Sequence, residues 1–149
     1  MKFAHNIKIK VFCKENEDEN KVKKALLSLI PFDLIKEKVE LRRCTALGFN
    51  NKKIMIFEIN LKKTRHTNSF LNALVKRLTQ EQKDLLLREL NFRIDDNLNF
   101  FLRFDKYKLI EKGVLWITNK GNCFHIKISV AAFPAKKEKA LEVIKELLS

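Results

Sequence analysis

The chain has 149 residues, 46% of them hydrophobic and 33% charged, enough for a buried core and too apolar for a disordered segment. Lysine and arginine number 31 against 18 aspartates and glutamates, and the resulting net charge of +13 points to an anionic partner. Only three glycines are present, which excludes Gly-rich phosphate loops, and no segment approaches the roughly 20 apolar residues of a spanning helix.

Ile7, Ile9 and Val11 alternate with Lys8, Lys10 and Phe12, the period of a half-buried strand. The acids Glu15, Glu17, Asp18 and Glu19 follow, and then Val22, Ala25, Leu26, Leu29 and Ile30 fall on one helical face. Acids at a helix start suit its dipole, and Pro31 should end the helix. Val39, Leu41 and Arg43 alternate in a second strand. Gly48, Asn50 and Asn51 supply a turn, and Ile54 to Leu61 read as a third strand that closes a hairpin.

Leu71, Leu74, Val75 and Leu78 mark a second helix. Thr79-Gln80-Glu81-Gln82 has the form of a capping box and predicts a break and a third helix bearing Leu85, Leu86 and Leu90. Leu98, Phe100, Leu102 and Phe104 alternate as a fourth strand, which delivers Arg103, Asp105 and Lys106 near its end. The segment from Tyr107 to Glu111 suits a helical turn. Val114 to Thr118 and Cys123 to Ala131 read as two further strands around Asn119-Lys120-Gly121-Asn122. A last helix follows Pro134, which suits a first helical turn, with Ala140, Val143, Ile144, Leu147 and Leu148 on its apolar face. Ile126-Lys127-Ile128 echoes Ile7-Lys8-Ile9, so similar β-α units stand at the two ends, and the sheet should bring the termini close together.

These elements predict one α+β domain over residues 1–149. Its sheet, mixed or antiparallel, should have about six strands packed by about four helices, in the order β-α-β-β-α-α-β-β-β-α. Cys13, Cys44 and Cys123 are scattered, without a C-x-x-C pair, so no disulfide framework is expected. His5 and His125 lie in strands without metal-ligand spacing, and Asp95-Asp96 reads as a turn. Neither a metal, nor a cofactor, nor a catalytic constellation is expected. No signal peptide or spanning segment is read, so the expectation is a cytoplasmic protein without a membrane partner.

Basic residues recur at Arg42 and Arg43; at Lys62, Lys63 and Arg65; at Arg103, Lys106 and Lys108; and at Lys136, Lys137 and Lys139. Each group is by itself an ordinary solvated edge, and a lysine-rich composition also follows from heat adaptation or genome bias. The last group differs. Lysines at a helix start oppose its dipole unless an anion joins them, which makes them phosphate-site candidates together with Arg103 and Lys106. If the fourth strand and the last lie in one sheet, their ends should converge. Phe101, Tyr107 and Phe133 interleave with these charges as candidates for base stacking, with core packing the competing role.

Several segments together carry a resemblance. They are Ala4-His5-Asn6-Ile7 leading to Val11-Phe12-Cys13, the acidic Asn16-Glu17-Asp18-Glu19, the middle segment Leu102-Arg103-Phe104-Asp105-Lys106, and Ala132-Phe133-Pro134-Ala135-Lys136-Lys137 after Ile126-Lys127-Ile128. In this order the chain resembles the archaeal predicted RNA-binding proteins described as exosome-associated subunits. The resemblance implies an α+β fold like the large-subunit ribosomal protein that binds 5S rRNA, and RNA binding without catalysis in an archaeal cytoplasm. The family's pattern carries over best onto Arg103, Lys106, Lys136 and Lys137.

The sequence therefore predicts a non-catalytic protein that contacts structured RNA mainly through phosphates. The contacts are expected from Arg42, Arg43, Arg103, Lys106, Lys136, Lys137 and Lys139, with subunits of an RNA-processing complex as further partners. The alternative is a protein-interaction module, or a homodimeric accessory subunit that does not touch nucleic acid.

Overall fold

The two Ile-Lys-Ile segments build adjacent central strands, as their shared pattern suggests. In the computed structural model, which describes residues 1–149 with the Phe49 side chain excepted, β1 (Ala4–Lys14) and β5 (Cys123–Val130) are neighbours in a five-stranded sheet. With β2 (Leu41–Leu47), β3 (Lys53–Leu61) and β4 (Asn99–Asp105), the order is β2-β3-β1-β5-β4. The Ala131 N–H donates to Phe3 O at 2.9 Å and ties the residue after β5 to the one before β1.

Alternation gives this sheet two unlike faces. Ile7, Ile9 and Val11 of β1, Phe124, Ile126 and Ile128 of β5, and Phe100, Leu102 and Phe104 of β4 are buried. Their sequence neighbours Lys8, Lys10, Phe12, His125, Lys127, Phe101 and Arg103 are half-buried or exposed. In the β2–β3 hairpin, Arg43 lies opposite the buried Phe57 and Arg42 opposite Glu58. Consecutive residues of a strand point to opposite faces, so the two arginines do as well.

Six α-helices lie between the strands: α1 (Glu19–Leu27), α2 (Thr64–Arg77), α3 (Gln80–Arg88), the short α4 (Leu90–Arg93), α5 (Lys106–Lys112) and α6 (Lys137–Leu148). Contacts cluster into two compact units. One comprises Met1–Ile7, Leu61–Leu102 and Lys127–Ser149; within it α6 packs on α2 and α3. The other comprises Lys8–Asn60 and Arg103–Ile126; within it α1 packs on α5. No helix is long and apolar enough to cross a membrane among the described residues.

Local chemistry explains the boundaries. The Asp18 carboxylate caps α1 by accepting from the Asn20 and Lys21 N–H groups. The helix ends at Ser28, before Pro31, and Leu29 and Ile30 remain buried beyond it. The Thr79 capping box forms as expected: the Thr79 hydroxyl accepts from the Gln82 N–H at 3.1 Å, and the Gln82 side chain accepts from the Thr79 N–H at 2.9 Å. Strand β2 begins later than the alternation suggests, because Lys38 has a positive φ of 58° and the Val39 N–H turns back to Leu34 O.

Three expectations are corrected. The predicted strand from Val114 to Thr118 is absent; Ile117 makes one isolated bridge to Phe104, flanked by bonds from Asp105 N–H to Trp116 O and from Thr118 N–H to Arg103 O. Before it, the helical turn expected from Tyr107 to Glu111 is α5, which the Asp105 carboxylate caps at its start and Gly113 closes in the left-handed region at φ 64°. Among the described residues the sheet thus has five strands rather than about six, and the α-helices number six rather than about four. The last helix follows Pro134 as expected but not at once: Lys136 is extended, its N–H returns to Pro134 O at 2.8 Å, and α6 begins at Lys137, so the proline stands outside the first turn.

Candidate nucleic-acid interface

The basic residues singled out from the sequence separate into distinct environments. Lys106 is 1% exposed, and its Nζ donates to Glu17 Oε1 at 2.9 Å. The same carboxylate accepts from the Lys14 N–H at 2.9 Å and the Tyr107 hydroxyl at 3.1 Å, and Asn122 Nδ2 donates to the Tyr107 oxygen at 3.4 Å. Burial pushes the Glu17 carboxyl up, but the bonds from Lys106, Lys14 and Tyr107, with the Lys106 charge, outweigh it and hold the group below the usual carboxylate range. Lys106 is therefore a buried ion-pair partner that pins the turn after β1 to α5. As a surface contact for RNA it is withdrawn.

Arg43 is also engaged. Its Nε and Nη2 donate to the two carboxylate oxygens of Glu19 at 2.6 and 3.2 Å, on the side of the sheet where α1 packs. Arg42, on the opposite side, lies 3.8 Å from Glu58 in a looser exposed pair. The sequence pair Arg42-Arg43 cannot act as one patch.

Arg103 is exposed on the open side of β4, with Nη1 donating to Asn119 O at 3.2 Å. Lys136 is the residue that precedes the first turn of α6, and no side chain caps that turn. Lys137 Nζ donates to Asn91 O at 3.5 Å, and Lys139 lies 3.3 Å from Glu142. These lysines belong to one compact unit and Arg103 to the other. The expected convergence of strand ends is not found: β4 ends beside the start of β5, where the Lys106 N–H donates to Asn122 O, and begins beside the end of β5, where the Val130 N–H donates to Leu98 O.

The open face itself is not evident from the sequence. Phe12 is 38% exposed in β1. Lys10 Nζ lies 5.5 Å from its ring centroid, and the His125 ring meets it edge-on at 6.0 Å and 79°. Burial, then the charges of Arg103 and Lys10, push the His125 imidazole below its ordinary value, so it is neutral at neutral pH. The signal was present in the alternation, which places Lys8, Lys10 and Phe12 on one side and the apolar residues of β1 on the other. That this side would stay uncovered is a tertiary fact. Of the aromatic residues noted from sequence, Phe101 is exposed on β4, Tyr107 is tied to Glu17, and Phe133 is 76% exposed with its ring edge-on to His5 at 6.1 Å.

Cys123 and His125 share this side, with Sγ 3.5 Å from Nε2. Burial pushes the Cys123 thiol up, and burial followed by the Glu17 charge does the same for Cys13. Neither sulfur has the thiolate character of an activated nucleophile. Among the described residues no cluster of three His, Cys, Asp or Glu side chains could hold a metal ion.

The chain is similar to several known proteins. A family model described as RNA binding matches residues 6–130. RNA-binding protein PAB1135 of Pyrococcus abyssi is 31% identical over 145 residues, which is 97% of this chain and 94% of the relative. The structure of Mth689, a DUF54 protein from Methanothermobacter thermautotrophicus, superposes with a TM-score of 0.78 at 33% identity and 99% coverage of both chains. Protein AF2318 of Archaeglobus fulgidus gives a TM-score of 0.84 at 27% identity, covering 97% of this chain and 99% of its own.

Proposed function

This chain belongs to the RNA-binding family, and we propose that it is a non-catalytic protein that holds structured RNA through backbone phosphates. The observation that carries this reading is the uncovered side of the sheet, where Lys8, Lys10 and Arg103 stand without ion-pair partners among the described residues. In a chain of net charge +13, such a face attracts a polyanion and releases its counterions. Lys136 at the uncapped start of α6 supplies a second phosphate contact, because the first N–H groups of that helix lack a side-chain acceptor. An accessory role in RNA processing or degradation, in complex with other subunits, fits a protein that binds RNA and carries no catalytic machinery of its own.

Titration of a structured RNA at several salt concentrations tests the reading. Affinity should fall steeply as salt rises, and absence of binding at low salt would rule the function out. Reversal of charge at Lys136 and Lys137 should weaken binding more than reversal at Lys23 and Lys24 of α1. Equal losses would mean that net charge alone is responsible.

A further inference from the structure

Phe12 is exposed, as are Phe92, Phe101 and Phe133, and it has a lysine ammonium over its ring. It lies near the end of a central strand, on the side that the packed core does not cover. A solvent-exposed ring gains nothing from the core, yet this one is bracketed by groups suited to a nucleotide. Lys10 reaches over it at 5.5 Å, His125 borders its edge at 6.0 Å, and the charges of both Lys10 and Arg103 reach His125. Lys10 and Arg103 have no ion-pair partner among the described residues, so charge complementarity favours an anionic chain that carries flat, polarisable groups.

We propose that Phe12 is a stacking platform for an unpaired RNA base, with His125 bordering the base and Lys10 and Arg103 holding the adjacent phosphates. The occupant is a single-stranded loop or end. In a duplex the base faces are already stacked on one another, so the ring has nothing to meet there. The contact of Lys10 with an exposed ring is weak, and its flexible stem swings toward the phosphate when a base arrives. The neutral His125 ring borders the base without a charge to desolvate. This inference rests on the RNA-binding reading and narrows it to one side of the sheet and one state of the RNA.

The test uses the full chain and a single-stranded RNA of roughly 12 nucleotides carrying a central 2-aminopurine, with a duplex of the same length beside it. The wild type should quench the 2-aminopurine on binding. Phe12→Leu should weaken single-strand binding on the order of ten-fold and lose the quenching, with duplex binding unchanged. Lys10→Gln should lower the salt slope on the single strand by about 0.7, while Phe12→Leu leaves the slope unaltered. Phe12→Tyr keeps the ring and should keep the quenching; its loss in a folded Phe12→Tyr protein overturns the proposal, as does wild-type affinity in Phe12→Leu. Binding to duplex or structured RNA without binding to the single strand overturns the platform and leaves RNA binding standing. Failure to bind any RNA at low salt overturns both. If Phe12→Leu instead converts a sedimenting dimer into a monomer, this side is a protein interface and the platform is overturned.

Discussion

Arg103 and Lys106 are close in sequence and opposite in role. The first ends a strand row facing solvent; the second begins a helix and turns its ammonium inward to Glu17. Sequence cannot separate them, because both are cations in one short segment on either side of Phe104 and Asp105, and only packing decides which is withdrawn from water. Removing one member of a buried pair strands the other, so Lys106→Met should destabilise the fold by about 3 kcal/mol in chemical denaturation. The folded Glu17 carboxyl lies below its ordinary value of 4.5. Its contribution to stability is therefore complete above that pH and is lost as pH falls below it through the folded value. A Glu17→Gln protein should be less stable at neutral pH and show a flatter decline below pH 4.5 than the wild type. Superimposable acid-unfolding profiles would show that the carboxylate does not carry this linkage.

Helix ends separate what an element needs from what it does. The box at Thr79 satisfies backbone donors in both directions, and its effect is structural: Thr79→Ala should cost about 1 kcal/mol and leave RNA affinity unchanged. The start of α6 is the opposite case. It begins with Lys136, which offers no acceptor to the exposed N–H groups. Lys136→Ser should therefore raise stability by about 1 kcal/mol in thermal or denaturant unfolding. The same change should weaken RNA binding where a phosphate takes the place of the missing cap. A gain of stability with undiminished affinity would remove this helix start from the interface. The boundaries of α5 follow the same logic, since Asp105 and Gly113 supply a cap and a left-handed stop for that short helix.

Across the whole molecule the net charge of +13 guarantees attraction to polyanions, and placement determines whether that attraction is organised. Arg42 and Arg43 offer a matched comparison, because loss of either changes the charge equally while the two point to opposite sides of β2. Arg42→Gln should lower the magnitude of the salt slope for structured RNA by about 0.9, and Arg43→Gln should leave it unaltered. Equal slopes would show that the side of the sheet is irrelevant and that composition alone drives binding.

The sequence by itself determined the alternating strands, the Thr79 break and the hairpin around Asn50 and Asn51. These are local: periodicity, capping and turn chemistry act over a few residues and are written in neighbouring side chains. Tertiary structure alone decided that Lys106 is buried, that Arg42 and Arg43 part company, that β4 ends beside the start of β5, and that one side of the sheet remains open around Phe12. Those facts depend on which distant elements come to cover each face, and an alternating strand reads the same whether its polar side meets water, a helix or an RNA.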